Sequence, residues 1–282
     1  MAQLTHQDIQ LYQQKLGITD FGPPTLKLLT LIQQKHIEAF PFQSISTLSE
    51  ELISLKLQDM MQKVVMENRG GYCYELNMLL LHLLQYLGFE AEIISGRIVH
   101  QNDILALTQR THVLLKVTID EQLYICDVGY GGLVPPIPLL IKTHKIQPTN
   151  LGAYQIIYHP KEKIYTLNCQ VADKWQILYS FELTPQPFVD LIVGNWFIST
   201  YPQSPFKQRL MVAKTEAGMI RHSLLNNRYS CHELGQPSTH ITFNSSAEIL
   251  AFIKDQFQLE ILHESKSKAS ISALLDRLSQ DQ

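Results

Sequence analysis

The segment RGGYCYELNMLLLHLLQYLG, residues 69–88, carries the pattern that most strongly predicts a buried helix. Its leucines recur at the three- and four-residue spacing of a helix, and nearly every helical face is apolar. Gly70 and Gly71 provide a tight entry, and Gly88 is suited to the position just after a helix C-terminus. Cys73 is therefore predicted to lie in the first turn of a buried helix.

A thiol in the first turn of a helix has two interpretations. The unpaired N–H groups and the positive end of the helix dipole stabilise a thiolate, which is how many nucleophilic cysteines are prepared. Free cysteine is also among the most buried residue types and often acts as a small packing side chain. The segment around Cys73 leaves both interpretations open.

A nucleophilic thiol needs a histidine base, and that base needs an orienting carboxylate. The stretch RTHVLLKVTIDEQLYICDVGYGG, residues 110–132, contains two strand-like runs on either side of Asp120-Glu121. A two-residue hairpin loop there would place Leu114 opposite Asp127. His112 lies two residues from Leu114, so it would share a face with Asp127 and reach it diagonally.

This pairing depends on the register of the hairpin. The predicted register also pairs Thr118 with Leu123, but Asp-Glu is not a preferred sequence for a two-residue turn. A shift by one residue would put His112 and Asp127 on opposite faces. Taken singly, each would be interpreted as a structural residue; together with Cys73 they favour a Cys-His-Asp site.

The chain as a whole shows three successive patterns of apolar residues. Residues 1–88 are predicted to be helical, and from 90 to 185 the apolar period falls towards two in short runs, which indicates an antiparallel sheet or barrel. Beyond residue 190 strands and helices are mixed. The predicted fold class is α+β.

Local signals predict several element boundaries. Thr5 is expected to cap the first helix, Pro23-Pro24 to open the second, and Ser245 to start a late helix with a capping box. Residues 129–140 are expected to be irregular because three prolines prevent ladder pairing. The tail after His263 is expected to form one or two docked amphipathic turns.

Composition excludes several classes of function. The 282 residues carry a net charge of −3 without a basic stripe, so we expect no nucleic-acid partner. No apolar run approaches the ~20 residues of a membrane span, and the polar N-terminus lacks a signal-peptide pattern. The four cysteines lie far apart, which predicts reduced thiols, no metal site and a cytoplasmic location.

Three segments, RGGYCYELN, THVLLKV and DVGYG, follow one another in an order that resembles the signature segments of the arylamine N-acetyltransferases. AFPFQSI and NWFISTYPQSPF are similar to two further segments of that family. The resemblance implies a helical domain over residues 1–88, a β-barrel domain over 89–190 and an α/β lid over 191–282. It also implies that the Cys-His-Asp site lies between the first two domains.

The same resemblance implies roles for particular residues. Cys73 would accept the acetyl group, His112 would be its base, and Asp127 would orient His112. Acetyl-CoA would be the donor, and arylamines, arylhydrazines or N-hydroxyarylamines the acceptors; no metal is implied. Phe42, Thr111 and Tyr130 would bind the acceptor, whereas the CoA-contacting residues are not identified, and the protein would be a monomer or homodimer. The chain departs from the family at Tyr130, where phenylalanine is common, and in PFQS, which replaces Pro-Phe-Glu-Asn.

Other functions would use the same residues. A cysteine hydrolase or transglutaminase-like enzyme has the same Cys-His-Asp order, and some relatives form amide bonds with other acyl chains. A non-catalytic binding protein on this scaffold is a further alternative. Acetylation of a simple arylamine by acetyl-CoA would distinguish the acetyltransferase from these alternatives.

Overall fold

The computed structural model describes residues 3–99, 102–171, 173–218 and 220–280. It is an α+β protein, as predicted, with a mainly helical first third, a barrel in the middle of the chain, and a second antiparallel sheet with further helices in the last third. The N-terminal elements are α1 (His6–Leu16), α2 (Leu26–Ala39), strand β1 (Phe42–Gln43), α3 (Ile45–Leu48), α4 (Leu57–Met60), a π-helix (Met61–Met66) and α5 (Cys73–Tyr86).

The ends of the first two helices are fixed by local hydrogen bonds. Thr5 caps α1 in a capping box with Asp8, and the left-handed Gly17 ends that helix, which confirms the predicted bounds. The prediction that Pro23-Pro24 opens α2 is wrong. Thr25 is the N-cap of α2, and its hydroxyl accepts a hydrogen bond from the Leu28 N–H, so the prolines precede the helix.

Helix α5 begins at Cys73 and is buried along most of its length, as the leucine pattern predicted. The Glu75 carboxylate accepts a hydrogen bond from the Tyr72 N–H and forms a 2.7 Å ion pair with Lys63, which satisfies this buried acid. Gly88 follows the helix with φ +83°, the left-handed conformation expected just after a helix C-terminus.

Eight strands form a nearly closed antiparallel barrel. They are β2 (Glu90–Ile98), β3 (His112–Ile119), β4 (Gln122–Cys126), β5 (Leu139–Leu140), β6 (Ile146–Thr149), β7 (Gly152–His159), β8 (Ile164–Val171) and β9 (Lys174–Phe181). Their order is β5-β4-β3-β2-β9-β8-β7-β6. The Gln147 side chain in β6 accepts from the Leu140 N–H in β5 and donates to the Leu140 carbonyl oxygen, which links the two ends of the sheet.

Alternate residues of β3 face opposite sides of this sheet, as the pleat requires. Leu114 packs with other buried side chains in the barrel interior, whereas Val113 and Leu115 belong to the large core that contains the leucines of α5. Helix α5 packs against β2 and β3. The barrel wall therefore separates two cores. Side chains of β3 on the same face as Leu114 point into the barrel.

The predicted register of the β3–β4 hairpin is confirmed. Thr118 pairs with Leu123, and the ladder runs to Leu115 opposite Cys126, so Asp127 comes directly after the strand. Asp120 and Glu121 both have positive φ, at 49° and 60°. The turn therefore has the backbone that two-residue hairpins require, although neither residue is a glycine.

One feature of residues 129–140 differs from the prediction. Most of the segment is irregular, but Leu139 and Leu140 pair with β4 as strand β5. The three prolines of the segment lie before this pair, so the leucine N–H groups remain available to the ladder.

The C-terminal third consists of α6 (Phe188–Thr200), α7 (Pro205–Gln208), β10 (Met211–Glu216), β11 (Ile220–Leu225), β12 (Arg228–His232), β13 (Thr239–Thr242), α8 (Ser246–Gln256) and α9 (Glu264–Gln280). The second sheet has the order β1-β10-β11-β12-β13. Phe42 of β1 pairs with Ala213 of β10, so the N-terminal region supplies an edge strand to this sheet.

The C-terminal predictions are only partly right. The capping box of Ser245 and Glu248 at the start of α8 is confirmed. The tail is a 17-residue helix, not one or two turns, because Ser267, Ile271 and Leu274 form a narrow buried stripe on α9. Within the described residues, no helix is both long and apolar enough to cross a bilayer.

Candidate active site

Cys73 is the first residue of α5, so its side chain lies at the end of the helix where the N–H groups lack intrahelical partners. The side chain is buried, with 2% of the residue exposed. Its sulfur lies 3.7 Å from the Thr111 carbonyl oxygen, directly before β3. The nucleophile candidate is therefore held between the helical region and the barrel.

His112 and Asp127 lie side by side, as the hairpin register requires. His112 Nε2 is 2.6 Å from Asp127 Oδ2, and both residues are almost wholly buried, at 3% and 0% exposure. Because Nε2 is engaged by Asp127, Nδ1 is the ring nitrogen left to face the Cys73 thiol. The His112 ring also packs against Tyr179 and Tyr130, with centroid distances of 4.8 and 5.6 Å.

Electrostatics favour a charged His112–Asp127 pair. Burial lowers the pKa of His112, but the Asp127 carboxylate and hydrogen bonds to Asp127 and Cys73 outweigh it and raise the pKa to about 10. Burial raises the pKa of Asp127, yet the His112 imidazolium and hydrogen bonds from Asn77 and Gly129 leave it below its usual value. At neutral pH an imidazolium therefore lies beside the thiol and a carboxylate behind it.

Asn77 connects all three elements of the site, although sequence reasoning did not single it out. Its Nδ2 donates to the Val113 carbonyl oxygen at 2.8 Å and to Asp127 Oδ1 at 3.0 Å. Its Oδ1 accepts from the Val128 N–H at 3.0 Å. The available signal was its spacing: a polar residue four positions after Cys73 lies on the same face of a buried helix.

Gly129 is required by the close approach of the loop after β4 to helix α5. A Cβ at this position would lie 2.5 Å from the Cys73 Cα and 2.8 Å from Asn77 Nδ2. The Gly129 N–H donates to Asp127 Oδ1 at 2.8 Å. The residue thus holds the carboxylate while leaving room for the start of the helix.

A cavity of about 590 Å³ opens onto this site. Both Cys73 and His112 line it, and so do the three residues predicted to bind the acceptor, Phe42, Thr111 and Tyr130. The opposite wall comes from α6, α7, β10 and β11, and its lining side chains include Phe197, Tyr201, Phe206, Arg209, Met211 and Leu225. The cavity can therefore hold a small apolar molecule next to the thiol. Its remaining volume leaves room for a second, larger ligand.

Strand pairing and a side-chain hydrogen bond explain why Phe42 and Tyr130 reach this cavity. Phe42 is held by its ladder with β10 and by a parallel bridge to Gly71, two residues before Cys73. The Tyr130 hydroxyl donates to the Leu178 carbonyl oxygen at 3.3 Å, so its polar end is tied to the barrel and its ring faces His112. The hydroxyl that distinguishes Tyr130 from phenylalanine is thus satisfied within the protein.

Comparison with known proteins identifies relatives over most of the chain. The model of an N-acetyltransferase family matches residues 25–265. The arylamine N-acetyltransferase of Mycolicibacterium smegmatis is 34% identical, with 90% of this chain and 92% of that protein aligned. That of Escherichia coli K12 is 31% identical over 84% of this chain and 82% of its own.

Solved structures agree with the sequence relatives. The arylamine N-acetyltransferase of M. smegmatis superposes with a TM-score of 0.88 at 33% identity, covering 94% of this chain and 97% of that one. A structure of the Mycobacterium marinum enzyme in complex with CoA gives a TM-score of 0.87 at 30% identity, covering 94% and 98%. On this evidence the chain belongs to the arylamine N-acetyltransferase family.

Proposed function

We propose that this protein transfers the acetyl group of acetyl-CoA to the nitrogen of arylamines, arylhydrazines or N-hydroxyarylamines through an acetyl-cysteine at Cys73. The observation that carries the proposal is the arrangement of three side chains at one cavity. The Cys73 thiol lies at a helix N-terminus beside the His112 imidazole, and His112 Nε2 is hydrogen-bonded to the buried Asp127 carboxylate. Family membership supports the donor and the class of acceptor.

In the first half-reaction, Cys73 reacts as a thiolate with His112 as its imidazolium partner. The sulfur attacks the thioester carbonyl carbon, the bond from that carbon to the CoA sulfur breaks, and His112 gives its proton to the departing thiolate. Asp127 keeps the His112 ring in one orientation and stabilises its charged form. The Cys73 backbone N–H at the start of α5 is a suitable donor to the oxyanion.

In the second half-reaction, His112 begins neutral and acts as a base. The amine nitrogen attacks the acetyl carbon, the carbon–sulfur bond to Cys73 breaks, and the amine proton passes to His112. The products are the N-acetylated amine and the restored thiolate–imidazolium pair. Because CoA leaves before the amine reacts, the mechanism is ping-pong.

The cavity wall favours a flat, weakly basic acceptor. Phe42 and Tyr130 are the proposed ring contacts and Thr111 the neighbouring polar one. An arylamine is neutral at pH 7, whereas the ammonium of an alkylamine would have to lose its hydration to reach this buried thiol. The site therefore selects arylamines mainly by the cost of desolvation.

The C-terminal third is proposed to act as a lid over a site between the helical and barrel domains, with boundaries near residues 88 and 190. Supporting observations are the cavity wall formed by α7, β10 and β11 and the separate apolar core of that region. Ile45 and Leu48 of the N-terminal region also pack in that core, so the proposed lid is anchored to the helical domain.

The proposal is tested by kinetics and mass spectrometry. Initial rates at several fixed acetyl-CoA concentrations should give parallel double-reciprocal lines against an arylamine such as aniline. Acetyl-CoA alone should add one acetyl group to the intact protein, and Cys73→Ala should abolish both this adduct and the transfer. Cys126→Ala serves as the matched control, because Cys126 is equally buried but lies outside the cavity lining.

Other outcomes would contradict the mechanism in distinct ways. Intersecting lines would indicate direct transfer without an acetyl-enzyme. Rapid, steady hydrolysis of acetyl-CoA that an amine hardly accelerates would indicate a cysteine hydrolase. An adduct that survives Cys73→Ala would exclude Cys73 as the acceptor.

A further inference from the structure

Two histidines face each other at the edge of the C-terminal sheet, far along the chain from the Cys-His-Asp site. His232 ends β12 and His240 lies in β13, the edge strand. The register pairs Ser230 with His240, so His232 is two residues along the same face and diagonal to His240. Their ring centroids lie 6.3 Å apart with the ring planes at 77°.

Each ring is held by a serine hydroxyl on one of its two nitrogens. His232 Nδ1 lies 2.6 Å from Ser238 Oγ, and His240 Nδ1 lies 2.8 Å from Ser230 Oγ. Each hydroxyl can accept the Nδ1 proton, which leaves the lone pair on Nε2. A ligand histidine in metal sites is held in the same way, by a hydrogen bond to its second nitrogen that fixes the ring and its tautomer.

The outer side of the pair is accessible. Arg221 lies opposite His232 in the β11–β12 ladder. His240 is exposed and β13 is an edge strand, so water can reach the outer side of the rings. The positive charge of Arg221 repels a cation. The site therefore favours transition-metal ions, whose bonds to imidazole are strongly covalent, over hard ions such as Mg²⁺.

We propose that His232 and His240 chelate one divalent transition-metal ion through their Nε2 atoms, with Cu²⁺ bound most tightly. Metal–imidazole bonds of about 2.0–2.1 Å on each side span rings 6.3 Å apart when the two nitrogens lie trans across the ion, an arrangement that tetragonal Cu²⁺ provides. Among the described residues no third His, Cys, Asp or Glu completes the group, so water fills the remaining positions. Affinity among divalent ions follows the usual order, in which Cu²⁺ exceeds Ni²⁺ and Zn²⁺.

A bridging ion would tie β13 to the rest of the sheet. Because the unfolded chain does not hold the two rings together, Cu²⁺ binding stabilises the folded state by mass action. The ion therefore acts on the sheet edge and not on the chemistry at Cys73.

The test uses CuCl2 and Cys231→Ser protein whose Cys73 has been alkylated with iodoacetamide, so that neither the thiol in the cavity nor the partly exposed thiol beside His232 competes for the ion. Calorimetry should show one Cu²⁺ site, and electron paramagnetic resonance should show coupling to two imidazole nitrogens. His232→Ala and His240→Ala should each lose this site and its two-nitrogen signal. Ser238→Ala, which removes only the supporting hydroxyl, should weaken Cu²⁺ binding about 10–100-fold.

His263→Ala is the matched control, since His263 is an exposed histidine outside the pair and its loss should leave the site unchanged. Equal Cu²⁺ binding by the wild type, His232→Ala and His240→Ala would overturn the proposal. A single-nitrogen signal in the wild type would also overturn it, because it would show that the rings do not act together.

Discussion

The Asp127 carboxylate is satisfied by three donors from three different parts of the chain. Its Oδ2 contacts His112, and its Oδ1 accepts from Asn77 and Gly129. A buried charge is stable only when it is paired and hydrogen-bonded in this way. The stability of the charged His112–Asp127 pair therefore depends on Asn77 and Gly129, whose hydrogen bonds to Asp127 do not involve the thiol.

Asp127→Asn is expected to keep the fold but slow acetyl transfer by about 10⁴-fold, the loss seen when a triad acid becomes an amide. Without the carboxylate, burial lowers the pKa of His112 and only the contact with Cys73 opposes it, so the imidazolium is disfavoured at neutral pH. Alkylation of Cys73 by iodoacetamide at pH 7 should be fast in the wild type. In the variant it should be much slower at the same pH, and an unchanged rate would show that Asp127 does not control His112.

Asn77→Ala is expected to lower kcat without raising KM for acetyl-CoA, because the amide holds Asp127 in position without lining the cavity. It also leaves the Val113 carbonyl and the Val128 N–H without their partner, which costs about 1–3 kcal/mol per buried group. Steady-state kinetics and urea unfolding measure the two effects. Asn168→Ala removes a comparable buried amide within the barrel and should destabilise the protein while leaving kcat near the wild-type value.

At the scale of single residues, the sequence predicted those side chains whose position follows from a local pattern. The thiol, imidazole and carboxylate were found from a helix start and a hairpin parity. Asn77 was missed because its function lies in contacts with residues 36 and 51 positions away, which no local pattern contains.

The β3–β4 hairpin is the element on which the site depends, because its register decides whether His112 and Asp127 share a face. Asp120 and Glu121 hold left-handed backbone conformations that are unfavourable for residues with a Cβ. The ladder and the core contacts of the two strands impose the turn, so packing fixes the register against local preference.

Glu121→Gly is therefore expected to raise the free energy of unfolding by up to about 1 kcal/mol, since glycine adopts positive φ without steric cost. Urea unfolding measures the change. Gln122→Gly, at the first strand position after the turn, should instead destabilise the protein. Stabilisation by both variants would contradict the assignment of strain to the turn.

The loop after β4 and the start of α5 form a second sensitive contact. Gly129→Ala is expected to abolish transfer and to destabilise the protein by about 1–3 kcal/mol, because the added methyl group meets the Cys73 backbone. Gly132→Ala is the matched control, since its Cβ would meet only the Ser223 Cβ at an ordinary 3.5 Å. Acetylation assays and thermal unfolding of both variants decide whether close approach, and not glycine flexibility, is the requirement.

At the scale of elements, sequence predicted those with a strong period or a cap and missed the others. The six longer strands of the barrel, β2–β4 and β7–β9, and the capped helices α1 and α8 were found, whereas the short end strands β5 and β6 were not predicted. Strands β11 and β12 were not predicted, because their ends are polar and partly exposed and so lack a clear alternation. Helix α9 was underestimated because only one narrow stripe of it is buried.

Across the whole molecule, stability at low pH should be limited by a buried histidine. His36 is fully buried against Tyr12 and Phe40, and burial lowers its pKa to about 3. Between that value and 6.5 the unfolded chain binds a proton at this position and the folded protein does not. Stability therefore rises with pH through this window and falls as the solution is acidified.

The expected contribution of His36 is a loss of about 1.4 kcal/mol per pH unit below about 6.5. Urea unfolding at pH 7.5, 6 and 5 measures it. His36→Gln should flatten the dependence by this amount, whereas the same change at exposed His263 should retain the wild-type slope. An unchanged slope in His36→Gln would show that His36 does not control acid stability.

The ladder between β1 and β10 has a consequence for the timing of folding during synthesis. The Met211 N–H donates to Ser44 Oγ across 167 residues of chain, and Phe42 depends on the same ladder for its place in the cavity wall. At about 5–20 residues per second a ribosome takes roughly 10–30 seconds to make the intervening chain. The helical region that carries Cys73 thus leaves the ribosome well before its acceptor wall can close. A nascent chain stalled before residue 211 would expose a reactive thiol without the surface that selects its substrate.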